Sequence, residues 1–333
     1  MTPPSPAPRN RTLRLTDAER SCYRQRLLQL HQSASVTELL NRTVCQDLFD
    51  LLPWLPSQWV DLLILDPPYN LTKRFRHHLT RRQSLAQYQD WVLSWLTPLS
   101  HTLKPTASIY LCGDWQSSPA LYAAAAEHFT IRNRITWERE KGRGARKNWK
   151  NNAEDIWFCT QSADYYFDAD AVRVMRRVTA PYTDDQGNPK DWHHTPRGKF
   201  RLTAPSNLWT DITIPFWSMP ENTEHPTQKP EKLIAKLILA STPPGAIVLD
   251  PFLGSGTTSV VAKKLDRQFV GIELDEYYAC LAEKRLEHAT SDRRIQGYGD
   301  RIFWERNSQP TDSSSRKQPY SPDSVAPRSS LKE

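Results

Sequence analysis

The sequence predicts an α/β fold, an open and mostly parallel sheet with helices on both faces. Three observations predict it. The run VDLLIL at 60–65 is mostly apolar, with Leu62, Leu63, Ile64 and Leu65 continuous and not alternating, as in a strand covered on both sides, and it ends in Asp66, Pro67, Pro68 and Tyr69. A second run, AIVL at 246–249, ends in Asp250 and opens through PFLGSG into a helical stretch. Helical segments alternate with short apolar ones along most of the chain, the rhythm of βα units.

Taken in order, residues 1–15 begin Pro- and Arg-rich and are expected to form a flexible tail. Thr16 with Glu19 forms a capping box, so a helix should open there and run to about Gln32, with Tyr23, Leu27, Leu28 and Leu30 on its apolar side. Strands are expected at 44–48, 60–66 and 107–112, with a helix over 85–99. Two further strands, 131–139 and 155–160, flank the polar loop EREKGRGARKNWKNNAE. Residues 162–222 are rich in Pro, Trp, His and Arg and show no clear period. A second α/β run starts at Pro230 with the helix EKLIAKLILAS. It continues with a strand at 247–250, a glycine turn, a helix from Thr257 through Leu265, a strand at 269–274 and a helix to about His288. From Ser308 onward the chain has little to bury and is expected to be disordered. The divisions are therefore 1–15, 16–161, 162–222, 223–290 and 291–333.

The 333 residues carry a formal net charge of +7, which supports a polyanionic partner without proving one. Cys22, Cys45, Cys112, Cys159 and Cys280 are an odd count with no C-x-x-C pair, which argues against a disulfide framework and against a zinc site built on paired cysteines. No apolar run approaches a membrane span and the start lacks an apolar signal segment, so a soluble, cytoplasmic protein is expected.

The prolines of the Asp-Pro-Pro-Tyr tetrad fix the backbone as it leaves the strand, at the end where open α/β sheets place ligands. Alone, the tetrad is equally well a strand-to-loop turn with a capping aspartate. The 250–258 turn carries Gly254 and Gly256, which allow close approach of the backbone to a ligand at a helix N-terminus. It is not a dinucleotide fingerprint, because Ser259 stands where the third glycine is needed, and it is not a phosphate-binding loop. Glu273 and Asp275 follow at the next strand end, about 20 residues on, where an acid can hold ribose hydroxyls or simply open the following helix.

The tetrad, DPFLGSGTT at 250–258 and HPTQKP at 225–230 together resemble the S-adenosylmethionine-dependent DNA amino-methyltransferases. The tetrad precedes the cofactor motifs, as in the beta group of that family, and the likeness spans roughly 40–288. It implies a Rossmann-like S-adenosylmethionine-dependent methyltransferase sheet with circularly permuted motif order. A catalytic half at 16–161 and a cofactor half at 223–290 would enclose an inserted target-recognition region at 162–222. By this resemblance the cofactor is S-adenosylmethionine, with no metal. Asp250, Pro251, Phe252, Gly254, Ser255, Gly256, Thr257 and Thr258 would line its methionine and ribose end. Glu273, with Asp275 beside it, would hold the ribose hydroxyls, and Thr227, Gln228 and Lys229 would border the methionine carboxylate. Asp47 would approach the adenine end, and Asn70, next to the tetrad, joins the cofactor set. NLWTDI at 207–212 resembles the short segment that precedes HPTQKP in these enzymes.

An exocyclic amine is a poor nucleophile because its lone pair is delocalised. If the Asp66 carboxylate and the Pro67 carbonyl each accept one amino hydrogen, the nitrogen is reshaped toward the methyl donor. A base inside a duplex must be flipped out, and Tyr69 offers it an aromatic face. Carbon-5 methylation of cytosine would need a nucleophilic cysteine after proline, and the chain has no Pro-Cys. Arg139, Lys141, Arg143, Arg146, Lys147 and Lys150 in the polar loop, and Lys73 and Arg74 after the tetrad, are candidate phosphate contacts. So are Arg197, Lys199 and Arg201, near Trp192, His193 and His194. By itself such a charge run is more often a solvated loop. RNA or protein-glutamine methyltransferases place the glycine motif ahead of the tetrad, and a nicotinamide oxidoreductase would want the third glycine. A non-catalytic DNA-binding module would leave both strand-end motifs idle. Within the family, Asp at the first tetrad position favours adenine N6, with cytosine N4 left open. Double-stranded DNA is the expected partner, with nucleoid association through it. A companion restriction endonuclease and a homodimer remain open.

Overall fold

The computed structural model describes residues 9–75, 78–139, 147–179, 182–195, 198–306 and 308. Its strands in the first half are β1 (Arg42–Cys45), β2 (Val60–Leu65), β3 (Lys73–Phe75), β4 (His78–Thr80), β5 (Leu103–Gly113), β6 (Thr130–Glu138) and β7 (Ala153–Thr160). There follow β8 (Val174–Arg177), β9 (His193–Thr195), β10 (Gly198–Thr203), β11 (Leu208–Trp209), β12 (Ile247–Asp250), β13 (Gln268–Glu273), β14 (Tyr298–Gly299) and β15 (Ile302–Trp304). The helices are α1 (Asp17–Arg24), α2 (Val36–Leu39), α3 (Leu48–Leu51), α4 (Leu85–Ser100), α5 (Ser118–His128), α6 (Glu231–Ser241), α7 (Thr257–Lys264) and α8 (Glu276–Ser291).

The central sheet runs β1-β13-β12-β2-β5-β7-β6-β11. From β1 to β5 all neighbours are parallel, and β7 is antiparallel to both β5 and β6. The unbroken apolar run of β2 has a simple cause. Leu62 and Ile64 pack with residues of α6 and α7, while Leu63 and Leu65 pack with Val92, Trp95 and Leu96 of α4, so every side chain of the run is needed. Each such side chain, taken fully from water, contributes about 1.5–3 kcal/mol.

Sequence order reverses between β2 and β12. From β2 the chain proceeds to β5 on one side, and from β12 to β13 on the other, so a crevice opens where the two runs part. Because β7 is antiparallel, its first residues and the last residues of β6 lie at this same edge, with Asp155 opposite Gly113 of β5. The carboxyl ends of β2, β5, β6, β12 and β13 and the start of β7 thus face one crevice.

Several elements differ from expectation. Helix α1 stops at Arg24, because Leu28 and Leu30 alternate across Gln29. The Leu28 N–H donates to Thr43 O at 2.9 Å and its carbonyl accepts from Cys45 N at 2.9 Å, placing this extended segment beside β1. β1 ends at Cys45 rather than 48, because the Asp47 side chain accepts from Phe49 N and caps α3. Residues 9–15 are tied down: Arg11 N donates to Trp217 O at 2.6 Å and Leu13 N to Asn222 O at 2.8 Å. Region 162–222 is not irregular throughout. It holds β8, β9 and β10, which form a second sheet in the order β14-β15-β8-β10-β9, while β11 joins the central sheet beside β6. Part of the C-terminal extension is therefore built into the same sheet as the middle region. The disorder expected from 308 onward falls, apart from Ser308, outside the described residues.

Candidate active site

A cavity of about 610 Å³ lies along the carboxyl ends of β2, β12 and β13. Asp66, Pro67, Pro68 and Tyr69 line it on one side; Asp250, Pro251, Phe252, Gly254, Ser255, Thr257, Thr258, Glu273 and Asp275 line it on the other. Asp47, Thr227, Gln228, Lys229, Lys73 and Arg139 complete the candidate residues that the fold brings together there. Asn70 and Gly256 are not in its wall.

The tetrad is held by its neighbours. Tyr88 of α4 donates its hydroxyl to the Pro68 carbonyl at 2.9 Å, and the Asn70 amide grips Gln83 at both backbone N–H (2.7 Å) and C=O (2.9 Å). Asn70 is therefore a brace for the segment after the tetrad, a correction to its assignment to the cofactor set. The Tyr69 hydroxyl donates to Asp66 Oδ1 at 3.0 Å and lies 3.3 Å from Glu154 Oε2. Burial first, and the Asp66 charge second, push this phenol well above its ordinary pKa, so it stays protonated.

Lys229 departs from its expected place. Its ammonium lies 2.7 Å from both Asp66 oxygens, 3.0 Å from the Tyr69 hydroxyl and 3.4 Å from Glu154 Oε2, so it belongs to the tetrad end of the cavity. Burial works against this cation, but Asp66 and Glu154 outweigh it and hold its pKa above the usual lysine value. Arg139 also departs from expectation: its guanidinium pairs with the buried Glu154 carboxylate inside the cavity instead of standing in the outer loop. Burial and the nearby Arg139 charge lower the Lys73 pKa. The other basic candidates are scattered. Lys147 and Lys150 are exposed, Lys199 covers the Trp192 ring at 4.6 Å, and Arg201 pairs with Asp191 at 3.0 Å. Lys141, Arg143, Arg146, Arg197 and the Arg74 side chain lie outside the described residues.

On the other side, Asp250 accepts from Phe252 N at 2.9 Å and from the Thr258 hydroxyl at 2.5 Å, which closes the turn. Glu273 accepts from Gly254 N at 2.7 Å and Asp275 N at 2.8 Å. Asp275 caps α8 at Tyr277 N, and the Gln228 amide is committed to Thr223 and the Glu221 carbonyl. Gly256 serves packing. It has φ +87°, and a Cβ there would fall 2.5 Å from Ala282 Cβ and 2.8 Å from its Cα, backbone of α8 that cannot give way. Gly256→Ala is expected to lose about 2–4 kcal/mol of stability, read as a lower denaturant midpoint.

Four contributors were not singled out from the sequence: Glu154, His225, Trp91 and Arg285. Glu154 is an acid in a strand otherwise buried, a signal that gains meaning only once antiparallel β7 brings its start to the crevice. His225 lies against Gly254 and edge-on to Tyr278 at 4.5 Å. Burial lowers its pKa to about 4, and its Nδ1 has no hydrogen-bond partner among the described residues. Trp91 meets Phe252 at 6.5 Å in the cavity wall. Arg285, buried on α8, bonds the Ser255 carbonyl and Thr257 hydroxyl at 2.9 Å each and pairs with Glu231 at 3.0 Å.

Burial raises Asp250 and Glu273 to about 7 each, against hydrogen bonds that pull the other way. Raised carboxyls contribute stability that is full below their unfolded values near 4 and is lost as pH climbs through 7. The ligand-free protein should therefore melt several degrees lower at pH 8 than at pH 5.5 from these two groups. Thermal melts of the parent and of Glu273→Gln, which removes part of the slope, check this.

Among the described residues no group of three or more His, Cys, Asp or Glu side chains could hold a metal ion. All five cysteines are free. No described helix is long and apolar enough to cross a membrane.

A family model described as DNA methylase, that of the N6/N4 methyltransferases, matches residues 60–284. The chain is 34% identical over 239 residues to the DNA adenine methyltransferase YhdJ of Escherichia coli (strain K12), covering 71% of this chain and 79% of that protein. It is 33% identical over 262 residues to the type II methyltransferase M.BglII of Bacillus subtilis, covering 74% and 69%. Among solved structures, PvuII DNA methyltransferase (cytosine-N4-specific) aligns with a TM-score of 0.53 at 19% identity over 75% of this chain and 90% of that one, a likeness of fold. Shared motifs, the strand-end crevice and a match over most of the sequence agree: the chain belongs to the N6/N4 DNA methylase family.

Proposed function

We propose that this protein transfers a methyl group from S-adenosylmethionine to N6 of an adenine flipped out of duplex DNA. The observation that carries the reading is the meeting of Asp66, at the end of β2, and the 250–258 turn, at the end of neighbouring β12, in one cavity. Relatives named as adenine or type II methyltransferases at about a third identity support the target base and its setting in restriction-modification.

The residues present fit the cofactor. His225 lies in the cavity wall with its buried Nδ1 lacking a hydrogen-bond partner among the described residues, and Glu273 lines the same space with two backbone N–H groups fixing its carboxylate. When bound, S-adenosylmethionine supplies an electrophilic methyl on a sulfonium. Glu273 is assigned to the ribose hydroxyls, Phe252 and Asp250 to the adjoining wall, and His225 with Thr227 to the methionine end. Asp66 and the Pro67 carbonyl hold the two amine hydrogens, and Asp66 or water takes the surplus proton after methylation. Tyr69 and Trp137 supply aromatic surface for the extruded base, and closure around it excludes water.

Incubating the protein with methyl-labelled S-adenosylmethionine and unmethylated duplex DNA, then digesting the product to nucleosides, tests the reading. Label in N6-methyladenine is expected. Label in N4-methylcytosine, or in RNA or protein and not in DNA, would overturn it.

A further inference from the structure

Building on the reading that Asp66 receives the target amine, we propose that Glu154 is a positioning residue that draws the Lys229 ammonium off Asp66 when the base arrives. The starting observation is a crowded carboxylate. Lys229 Nζ stands 2.7 Å from each Asp66 oxygen, and the Tyr69 hydroxyl adds a donor to Oδ1 at 3.0 Å. Oδ1 therefore has a donor for each of its lone pairs before any substrate enters. The amine nitrogen also becomes positive as it is methylated, and a buried ammonium on the same carboxylate opposes that charge.

An alternative seat for the ammonium is adjacent. Glu154 Oε2 is 3.4 Å from Lys229 Nζ and 3.3 Å from the Tyr69 hydroxyl, and its side chain is buried. What restrains Glu154 is Arg139, whose guanidinium pairs with Oε1. The Arg139 side chain is also 35% exposed, its backbone N–H donates to Asn152 O at 2.8 Å, and Lys147 and Lys150 nearby in sequence are exposed. DNA phosphates drawn to Lys147 and Lys150 compete for Arg139 and leave Glu154 with charge to offer Lys229. A movement of Nζ on the order of 1 Å, a small side-chain adjustment, exchanges the partner without leaving a buried charge unpaired. Asp66 is then open to the amine only when DNA is engaged.

The test is single-turnover methyl transfer by the full chain to an unmethylated PCR-amplified duplex, with S-adenosylmethionine and DNA dissociation constants measured alongside. Glu154→Gln, which cannot hold an ammonium as a carboxylate does, should slow transfer by about 10²-fold with both dissociation constants little changed. Adding Lys229→Gln to that variant should recover at least about 10-fold, because no cation is left on Asp66. A structural prop would show the opposite, since removing a second buried charge adds damage. Transfer by E154Q at the parent rate, or a double variant no faster than E154Q, overturns the proposal. If E154Q does not bind the cofactor, Glu154→Asp is compared with E154D/K229Q: recovery of transfer in the double variant supports the proposal and its absence overturns it. A parent protein that labels no DNA counts against the underlying reading instead.

Discussion

Asp66→Ala is expected to cut single-turnover methyl transfer by about 10³-fold while S-adenosylmethionine affinity stays within a few-fold of the parent. The reasoning is geometric. In the proposed reading Asp66 accepts the amine while Glu273, Phe252 and Asp250 are assigned to the cofactor, so its loss removes the amine's acceptor and none of the groups assigned to the cofactor. The variant should still fold, because Lys229, deprived of Asp66, keeps Glu154 at 3.4 Å and the Tyr69 hydroxyl at 3.0 Å. Asp66→Asn keeps one carbonyl acceptor and should lose less, about 10–10²-fold. Rapid-quench transfer with labelled cofactor, beside calorimetric cofactor binding, separates the two effects. An alanine variant as fast as the parent would remove Asp66 from the mechanism.

Asp211→Ala should be the most damaging single change to stability outside the cavity. Asp211 is 2% exposed and accepts from Lys232 at 2.7 Å and from Lys236 at 2.7 and 2.8 Å, with both lysines buried on α6. Burial lowers both lysine pKa values, Lys236 to about 8, while the Asp211 charge opposes the shift at each. Removing the carboxylate leaves two uncompensated cations, at a cost of about 3–5 kcal/mol. That corresponds to a drop in melting temperature on the order of 10 °C. The depressed Lys236 adds a signature. Without Asp211 the lysine pKa falls further, so the variant gains stability with rising pH already below 8, where the parent lysine is still charged, and its defect should shrink from pH 7 toward pH 8 and level off above it. Calorimetric melts at the two pH values read both the loss and its recovery.

How much of this was legible in the sequence follows from the range of the interactions. Helix α6 and strand β12 fall where the residues put them, because an apolar face or an unbroken apolar run is a local signal. The fold class follows from the same signal. The N-terminal segment misled because Tyr23, Leu27, Leu28 and Leu30 fit a helical face as well as they fit the alternation that β1 in fact exploits. The middle region hid its strands because three of them are three to six residues long and one partner, β15, pairs with β8 across 129 positions. In the cavity, the tetrad and the glycine turn could be read as motifs, whereas the pairing of Lys229 with Asp66 joins positions 163 apart. No spacing rule reports such a contact. Arg139 pairs with Glu154, 15 positions further on, a contact that its flanking residues Glu138 and Glu140 do not announce.

The second sheet bears on any exchange of the middle region with that of a relative. Its β8 edge is completed by β15, which belongs to the chain's far end, and Lys232 of α6 donates to the Trp304 carbonyl at that seam. A chimera that grafts only the stretch around 174–203 from a relative would set foreign residues against a native flank they never co-folded with. Transplanting 298–304 together with that stretch keeps the seam intact, so the exchangeable cassette is discontinuous.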